Sequence, residues 1–316
     1  MKTGMYDLIF AEEMILERCQ ALGTERISVS NAAGRILARD ITEGAASGED
    51  DMETDSAGRT VIAGRGCMIR PALHGMLIGQ GVRQVEVYRK PMVGFYYLEG
   101  ENAAACSEID VREKTNRYIL GTALREFGFS TIYQGCVPKE RAQMISTIKM
   151  ASVLYDAVII CGGAEPEEFI RVRETLEKTG AEILIDHIDM QPGATVCVGF
   201  MDQVPVFGIA GNSDEILTAF YLIILPALKK ISGRREEAHE KIMVELSRDF
   251  EEHNEVTRIL LGHLMFADGI VRLRLRDGEP EDLYGHAQDV DACVVIPAGK
   301  GPLKKGTLLN AYRIRN

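Results

Sequence analysis

The sequence predicts an α/β protein with a doubly wound central domain, a small N-terminal α/β segment and a C-terminal β domain. Three observations carry this. Between residues 92 and 233, short apolar runs alternate with helical patterns, as strands and crossover helices of a mainly parallel sheet do. Beyond residue 234, Val271, Leu273 and Leu275 alternate with Arg272, Arg274 and Arg276, the period of half-buried strands. Hydrophobic residues make up 46% and charged residues 26% of the 316, enough apolar material for real cores and too much for a disordered chain.

Taken in order, Leu8, Ile9, Ile15, Leu16 and Cys19 recur at helical spacing and predict a helix from about Tyr6 to Ala21. A β-like run, Arg26–Val29, follows, then a short capped helix over Ser30–Ala38. Residues 43–60 carry Gly44, Gly48 and Gly58 among Glu43, Glu49, Asp50, Asp51, Glu53 and Asp55, which reads as an acidic linker. Pro71–Leu77 opens a helix with proline in its first turn, and Val82, Val85 and Val87 make a strand.

In the central region, strands are expected at Met92–Leu98, Ser130–Tyr133, Ala157–Cys161, Glu182–Ile185 and Val204–Ile209. Helices are expected at about Thr115–Phe127, Lys139–Leu154, Pro166–Lys178 and Ser213–Lys230. Val294–Ile296 and Leu308–Leu309 mark further strands of a small β domain or barrel. The domain organisation is therefore 1–42 with 61–90, the linker 43–60, 91–233 and 234–316.

The formal charge is −11, which argues against nucleic acid or an anionic membrane as main partner. The seven widely spaced cysteines contain no C-x-x-C and read as reduced, mostly buried thiols. The first ten residues lack a secretory pattern, and no run approaches the roughly 18 apolar residues of a membrane span, so a cytoplasmic location is expected. His187 and His286 are isolated and read as structural.

In a doubly wound sheet, ligands bind beyond the carboxyl ends of the strands. Three expected strand ends carry small or polar residues: Gly100-Glu101-Asn102, Gly162-Gly163-Ala164-Glu165 and Gly211-Asn212-Ser213-Asp214. Glycine lets a ligand approach the backbone, and the following helix offers N–H groups to phosphate. Neither G-x-G-x-x-G nor G-x-x-x-x-G-K-[S/T] occurs, so neither a dinucleotide fingerprint nor a P-loop is indicated.

With these residues in view, the chain resembles the molybdopterin molybdenumtransferases, the family of MoeA and the gephyrin E domain. The resemblance runs in order through Val29–Ile41, Gly81–Val93, Thr115–Leu120, Gly135–Pro138, Asp156–Gly163, Gln191-Pro192-Gly193, Pro205–Asn212 and Phe220 with Pro226-Ala227-Leu228. It implies a molybdopterin-binding α/β domain for 91–233 that takes adenylated molybdopterin and molybdate with Mg²⁺. It also implies a homodimer whose sites are built partly from the partner chain.

Carried onto this sequence, the resemblance places ligand-binding residues at Gly100, Asn116, Gly162, Gly163, Glu165, Gly193, Gly211, Asn212 and Ser213, and candidate catalytic acids at Glu101 and Glu168. No metal-ligand set is assigned. The family's S-x-x-D-G-Y-A segment is missing, and only residues 43–60 stand where its second domain is inserted. The family's K-P-G-K-P reads Gln191-Pro192-Gly193-Ala194-Thr195 here, so both lysines are gone. Two functions follow as expectations: an insertase that places molybdate into adenylated molybdopterin, or a non-catalytic carrier or accessory protein that delivers a pterin phosphate to a molybdoenzyme or cofactor-pathway protein.

Overall fold

A computed structural model describes residues 6–42, 61–98, 111–137, 140–162, 166–192, 195–235, 239–275 and 290–314, with side chains from 115 and 169 onward in the helices that open at 111 and 166. Helix α1 (Leu8–Arg18) is capped by Asp7, whose carboxylate accepts from the Ile9 amide at 2.9 Å, and buries Leu8, Ala11 and Ile15. It is shorter at both ends than the apolar spacing predicts. β1 (Thr24–Ser28) follows, then a 3-10 turn at Val29–Asn31.

The helix expected over Ser30–Ala38 does not form. Gly34 adopts φ +74°, and Ile36 and Leu37 instead bridge to Met68 and Val87. β2 (Ile41–Thr42), β3 (Val61–Ala63), α2 (Pro71–Gly79) and β4 (Gln84–Tyr88) complete the N-terminal segment. β1 pairs antiparallel with β4, and β2 with β3. The expected linker 43–60 lies outside the described residues.

The central layer runs β5 (Met92–Leu98), α3 (Val111–Glu126), β6 (Ser130–Val137), α4 (Arg141–Leu154), β7 (Ala157–Cys161), α5 (Pro166–Thr179) and β8 (Glu182–Ile185). β9 (Met190–Gln191), β10 (Val196–Met201) and β11 (Val204–Ile209) follow. The last helix runs as α6 (Ser213–Ala219), a π-helical stretch at Phe220–Ile224 and α7 (Leu225–Ile231). The strand order is β6-β5-β7-β11-β10-β8.

β5, β6, β7 and β11 are mutually parallel, as the sequence predicts. β10 is the exception: it pairs antiparallel with both β11 and β8. It forms a hairpin with β11 through Asp202, at φ +55°, a tight turn whose signal the Gly-poor sequence at 202–203 does not advertise.

Alternation along the strands explains the two helical layers. In β7, Ala157, Ile159 and Cys161 join a core that includes residues of α1, α3 and the last helix, while Val158 and Ile160 face a second core shared with α4 and α5. A strand buried on both faces must be apolar throughout, and all five residues of β7 are buried. Val158, Ile159 and Ile160 each contribute about 1.5–3 kcal/mol by leaving water. The chain steps from β5 to β6 on one side, then returns across β5 to β7 on the other. In doubly wound sheets, ligands bind beside such a reversal, here the carboxyl ends of β5 and β7.

The C-terminal domain contains β12 (Glu240–Leu246), β13 (Thr257–Ala267), β14 (Ile270–Leu275), β15 (Ala292–Ile296) and β16 (Leu308–Arg313). Its order β14-β12-β16-β15-β13 closes through a β13–β14 pairing, and β9 adds to β13. Closure removes exposed strand edges. The long β13 and β12 carry too few alternating positions for sequence reading to find them. Arg272 on β14 is half-buried, with its Nε donating to Glu245 at 3.1 Å. Arg276 and His286 lie outside the described residues.

Candidate ligand site at the carboxyl ends of the central strands

Two adjoining strand ends, those of β7 and β11, hold five of the residues singled out in the sequence. The Gly162 amide donates to the Ile209 carbonyl at 2.8 Å, which extends the β7–β11 pairing one residue past the strand. Gly211 follows β11 with φ +139°, and a Cβ there would meet Glu215 Cβ at 2.7 Å and its Oε2 at 2.2 Å. Only glycine permits this backbone.

Asn212 then caps α6. Its Oδ1 accepts from the amides of Asp214 at 3.0 Å and Glu215 at 3.1 Å, while Glu215 Oε2 accepts from the Asn212 amide at 2.7 Å. This reciprocal pairing is a capping box. Its consequence is chemical. The N–H groups of Asn212, Asp214 and Glu215 that the sequence offers to a phosphate are engaged within the turn. Two carboxylates, Asp214 and Glu215, also occupy the first helical turn, where they interact favourably with the helix dipole but disfavour an incoming anion.

Asn116 ties this turn to α3. Its side chain is buried at 3% exposure, its Nδ2 donates to the Gly211 carbonyl at 2.9 Å, and its Oδ1 accepts from Ser213 Oγ at 3.3 Å. A buried amide satisfied from both ends fixes the turn in one place. Asn116, Gly211, Asn212 and Ser213 thus form one connected unit with Gly162 beside it.

Sequence reading missed two neighbours. Thr195 donates its hydroxyl to the Ala210 carbonyl, and the Ala210 amide donates back to the Thr195 carbonyl at 3.2 Å. This pair holds the segment after the cis Gln191–Pro192 bond against the end of β11. Arg117, next to Asn116 on α3, places its guanidinium 3.9 Å from the Tyr133 ring centroid and 5.3 Å from that of Tyr118. Burial pushes the Tyr133 hydroxyl up, the neighbouring Cys136 adds to this, and Arg117 opposes it. The signal for Thr195 lay in the polar residue two positions after Gly193. For Arg117 there was none, because its aromatic partner is remote in sequence.

Gly100, Glu101, Gly163, Glu165 and Gly193 lie outside the described residues, and Glu168 lies on α5 with its side chain outside them. Among the described residues, no group of three or more His, Cys, Asp or Glu side chains is placed to hold a metal ion. Four of the six described cysteines (Cys19, Cys161, Cys197 and Cys293) are buried, Cys67 is half-buried and Cys136 exposed; none of the six is in a disulfide. Burial pushes Cys197 and Cys293 up to about 12, which disfavours their thiolate forms. No helix among the described residues is long and apolar enough to cross a membrane.

Comparison with known proteins places this geometry. A family profile described as "Probable molybdopterin binding domain" matches residues 108–230, which span α3 to α7 and hold the Asn116–Gly211–Ser213 unit. A molybdopterin molybdenumtransferase of Bacillus subtilis is 23% identical over 83% of this chain and 61% of its own length. One from Staphylococcus epidermidis is 25% identical over 79% and 60%. The chain's matches thus span about 60% of the length of these curated relatives.

Among solved structures, a molybdopterin biosynthesis MoeA protein from Pyrococcus horikoshii superposes with a TM-score of 0.74 at 18% identity, covering 99% of this chain and 100% of that one. A molybdenum cofactor biosynthesis protein from Pyrococcus furiosus gives 0.71 at 19%, over 98% and 100%. The fold agreement extends over nearly the whole chain, and the ordered sequence resemblance lies on the same elements. Residues 108–230 thus match a probable molybdopterin-binding domain, and the chain as a whole is similar in sequence and fold to molybdopterin molybdenumtransferases of the MoeA type.

Proposed function

We propose that this chain acts in molybdenum cofactor biosynthesis by binding a molybdopterin phosphate at the carboxyl ends of β5, β7 and β11. The observation that carries the reading is the buried Asn116 bridge, which fixes the Gly211 turn beside the Gly162 strand end. Glycine at both strand ends lets a flat ring approach the main chain there. Gly100, Gly163, Glu165 and Gly193 complete the binding loops in this reading.

In the insertase form of the proposal, the ligand is adenylated molybdopterin, molybdate is the second substrate, and Glu101 and Glu168 hold Mg²⁺ or move protons. Residues 43–60 take the place of a second domain between the halves 1–42 and 61–90, and 91–233 and 234–316 are the ligand-binding and C-terminal β domains. The working unit is a cytoplasmic homodimer.

One observation favours the carrier form. Glu215 and Asn212 engage the first-turn amides of α6, and the sequence has Gln191 and Ala194 where the family carries lysines. Each absent charge-assisted contact to an anion removes about 1.5–3 kcal/mol, more from turnover chemistry than from ring binding.

Calorimetry with adenylated molybdopterin, then addition of molybdate with AMP monitored, tests both. Binding with molybdate-dependent AMP release supports the insertase. Binding without release supports the carrier, which hands a pterin phosphate to a molybdoenzyme or cofactor-pathway protein. Absence of binding contradicts both.

A further inference from the structure

A second concave site lies at the opposite end of the central sheet, where the N-terminal segment meets the amino ends of β5 and β6. This open cleft is lined by Arg35, Arg89, Lys90, Arg234, Ser232 and the Gly128–Phe129 turn, among others, with no carboxylate in the lining among the described residues. In a chain of formal charge −11, four cations around one cleft run against the overall balance. The seven residues of β5 put it about 20 Å from the Gly162 and Gly211 loops.

Two of these cations already have partners: Arg35 pairs with Glu25, and Arg89 lies 3.6 Å from Asp156. Arg234 and Lys90 have no carboxylate within ion-pair distance among the described residues. Glu236 and Glu237 lie outside these residues. Arg234 donates from one terminal nitrogen to the Phe127 carbonyl at 2.9 Å and lies 5.8 Å from the Phe129 centroid, yet its Nε is buried with no acceptor among the described residues. Arg35 Nε is likewise buried and unpaired. Burial, and after it nearby Arg70, pushes Arg234 down.

The backbone is shaped to deliver this arginine. Gly233, at φ +75°, passes so close to Tyr88 that a Cβ would meet its ring at 2.2 Å, and the Arg234 amide bonds back to the Lys229 carbonyl at 3.1 Å. Buried unpaired donors cost stability and are retained where something else satisfies them.

We propose that this cleft binds a phosphate-class oxyanion, held by Arg234 and Lys90 with Arg35 and Arg89 beside them. Guanidinium groups match phosphate oxygens in charge and planar geometry. The anion would come either as free phosphate or as the phosphoryl end of a nucleotide whose remainder stays outside the cleft.

Equilibrium dialysis of the full chain with inorganic phosphate and, separately, uridine 5′-monophosphate tests this. Saturable phosphate binding is expected. R234Q and K90Q should each weaken it about tenfold or more, R234K should recover part of the loss, and N116A at the far end should leave it unchanged. Because Lys90 is exposed, K90Q keeps the test valid if R234Q fails to fold. Equal affinity for the two ligands assigns free phosphate; tighter nucleotide binding with the same R234Q loss assigns a nucleotide. The proposal is overturned if wild type shows no saturable binding of either ligand below about 10 mM, or if N116A abolishes binding that R234Q and K90Q leave intact.

Discussion

The two ends of the central sheet handle polar groups in opposite ways. At the carboxyl end, Asn116, Gly211, Asn212, Ser213 and Glu215 satisfy one another, so the turn is rigid before any ligand arrives. At the amino end, Arg234 and Arg35 each keep a buried Nε without a partner among the described residues. A self-satisfied site is preorganised and tolerates being empty, whereas an unsatisfied one is stabilised by what fills it. The difference also separates the chemistries: the carboxyl end presents backbone and carboxylates, the amino end presents cations.

The comparison can be broken most severely at Gly211. G211A forces a side chain into a left-handed backbone and against Glu215, and should destabilise the chain by about 4 kcal/mol from strain and overpacking together. Urea denaturation checks this; a loss under 1 kcal/mol, on the order of an ordinary Gly→Ala change, would mean that the turn is not fixed as described.

His239 provides a reference that touches neither end. It is buried against the Tyr221 carbonyl at 2.6 Å, and burial with the nearby Lys229 lowers it to about 4. The unfolded chain takes up this proton near pH 6.5, so the contribution is fully present above that pH and is lost as pH falls toward 4. The shift corresponds to about 3 kcal/mol. A pH series of denaturation curves should show this slope in wild type and a flatter one in H239Q.

N116A removes the bridge and leaves the Gly211 carbonyl and Ser213 hydroxyl without their partner. The expected stability loss is about 1–3 kcal/mol, with pterin affinity reduced and phosphate binding at the amino end intact. If both ligands weaken together, the two ends are coupled and the contrast fails.

The smallest effect is the most diagnostic. E215Q keeps an acceptor for the Asn212 amide but removes the negative charge beside the turn. Stability should change by less than about 1 kcal/mol, while affinity for a phosphorylated pterin rises. Unchanged affinity in titration calorimetry would show that the carboxylate does not face the ligand.

Much of this architecture was legible in residue pattern. β5, β7, β8 and β11 match the expected runs residue for residue because continuous apolar stretches between glycines and helices admit little else. The misses have physical causes. Ser30–Ala38 carries a helix cap signal, but tertiary bridges to Met68 and Val87 outweigh local preference. β10 was hidden because its turn uses Asp202 at positive φ in place of the glycine that would mark a hairpin. At the site, glycine at strand ends pointed to Gly162 and Gly211, but the Asn116 bridge spans 95 residues and no local pattern encodes it. The cationic cleft was invisible for the same reason: Arg35, Lys90 and Arg234 come from three separate segments.

The most direct measurement is the affinity of molybdopterin for the wild-type chain and for N116A, by calorimetry at matched folded fraction. Saturable binding to wild type that weakens about tenfold or more in N116A, as expected from removing a buried bridge, is the predicted result. No binding to wild type, or equal binding by both, would contradict a molybdopterin site built on the Asn116–Gly211–Ser213 turn.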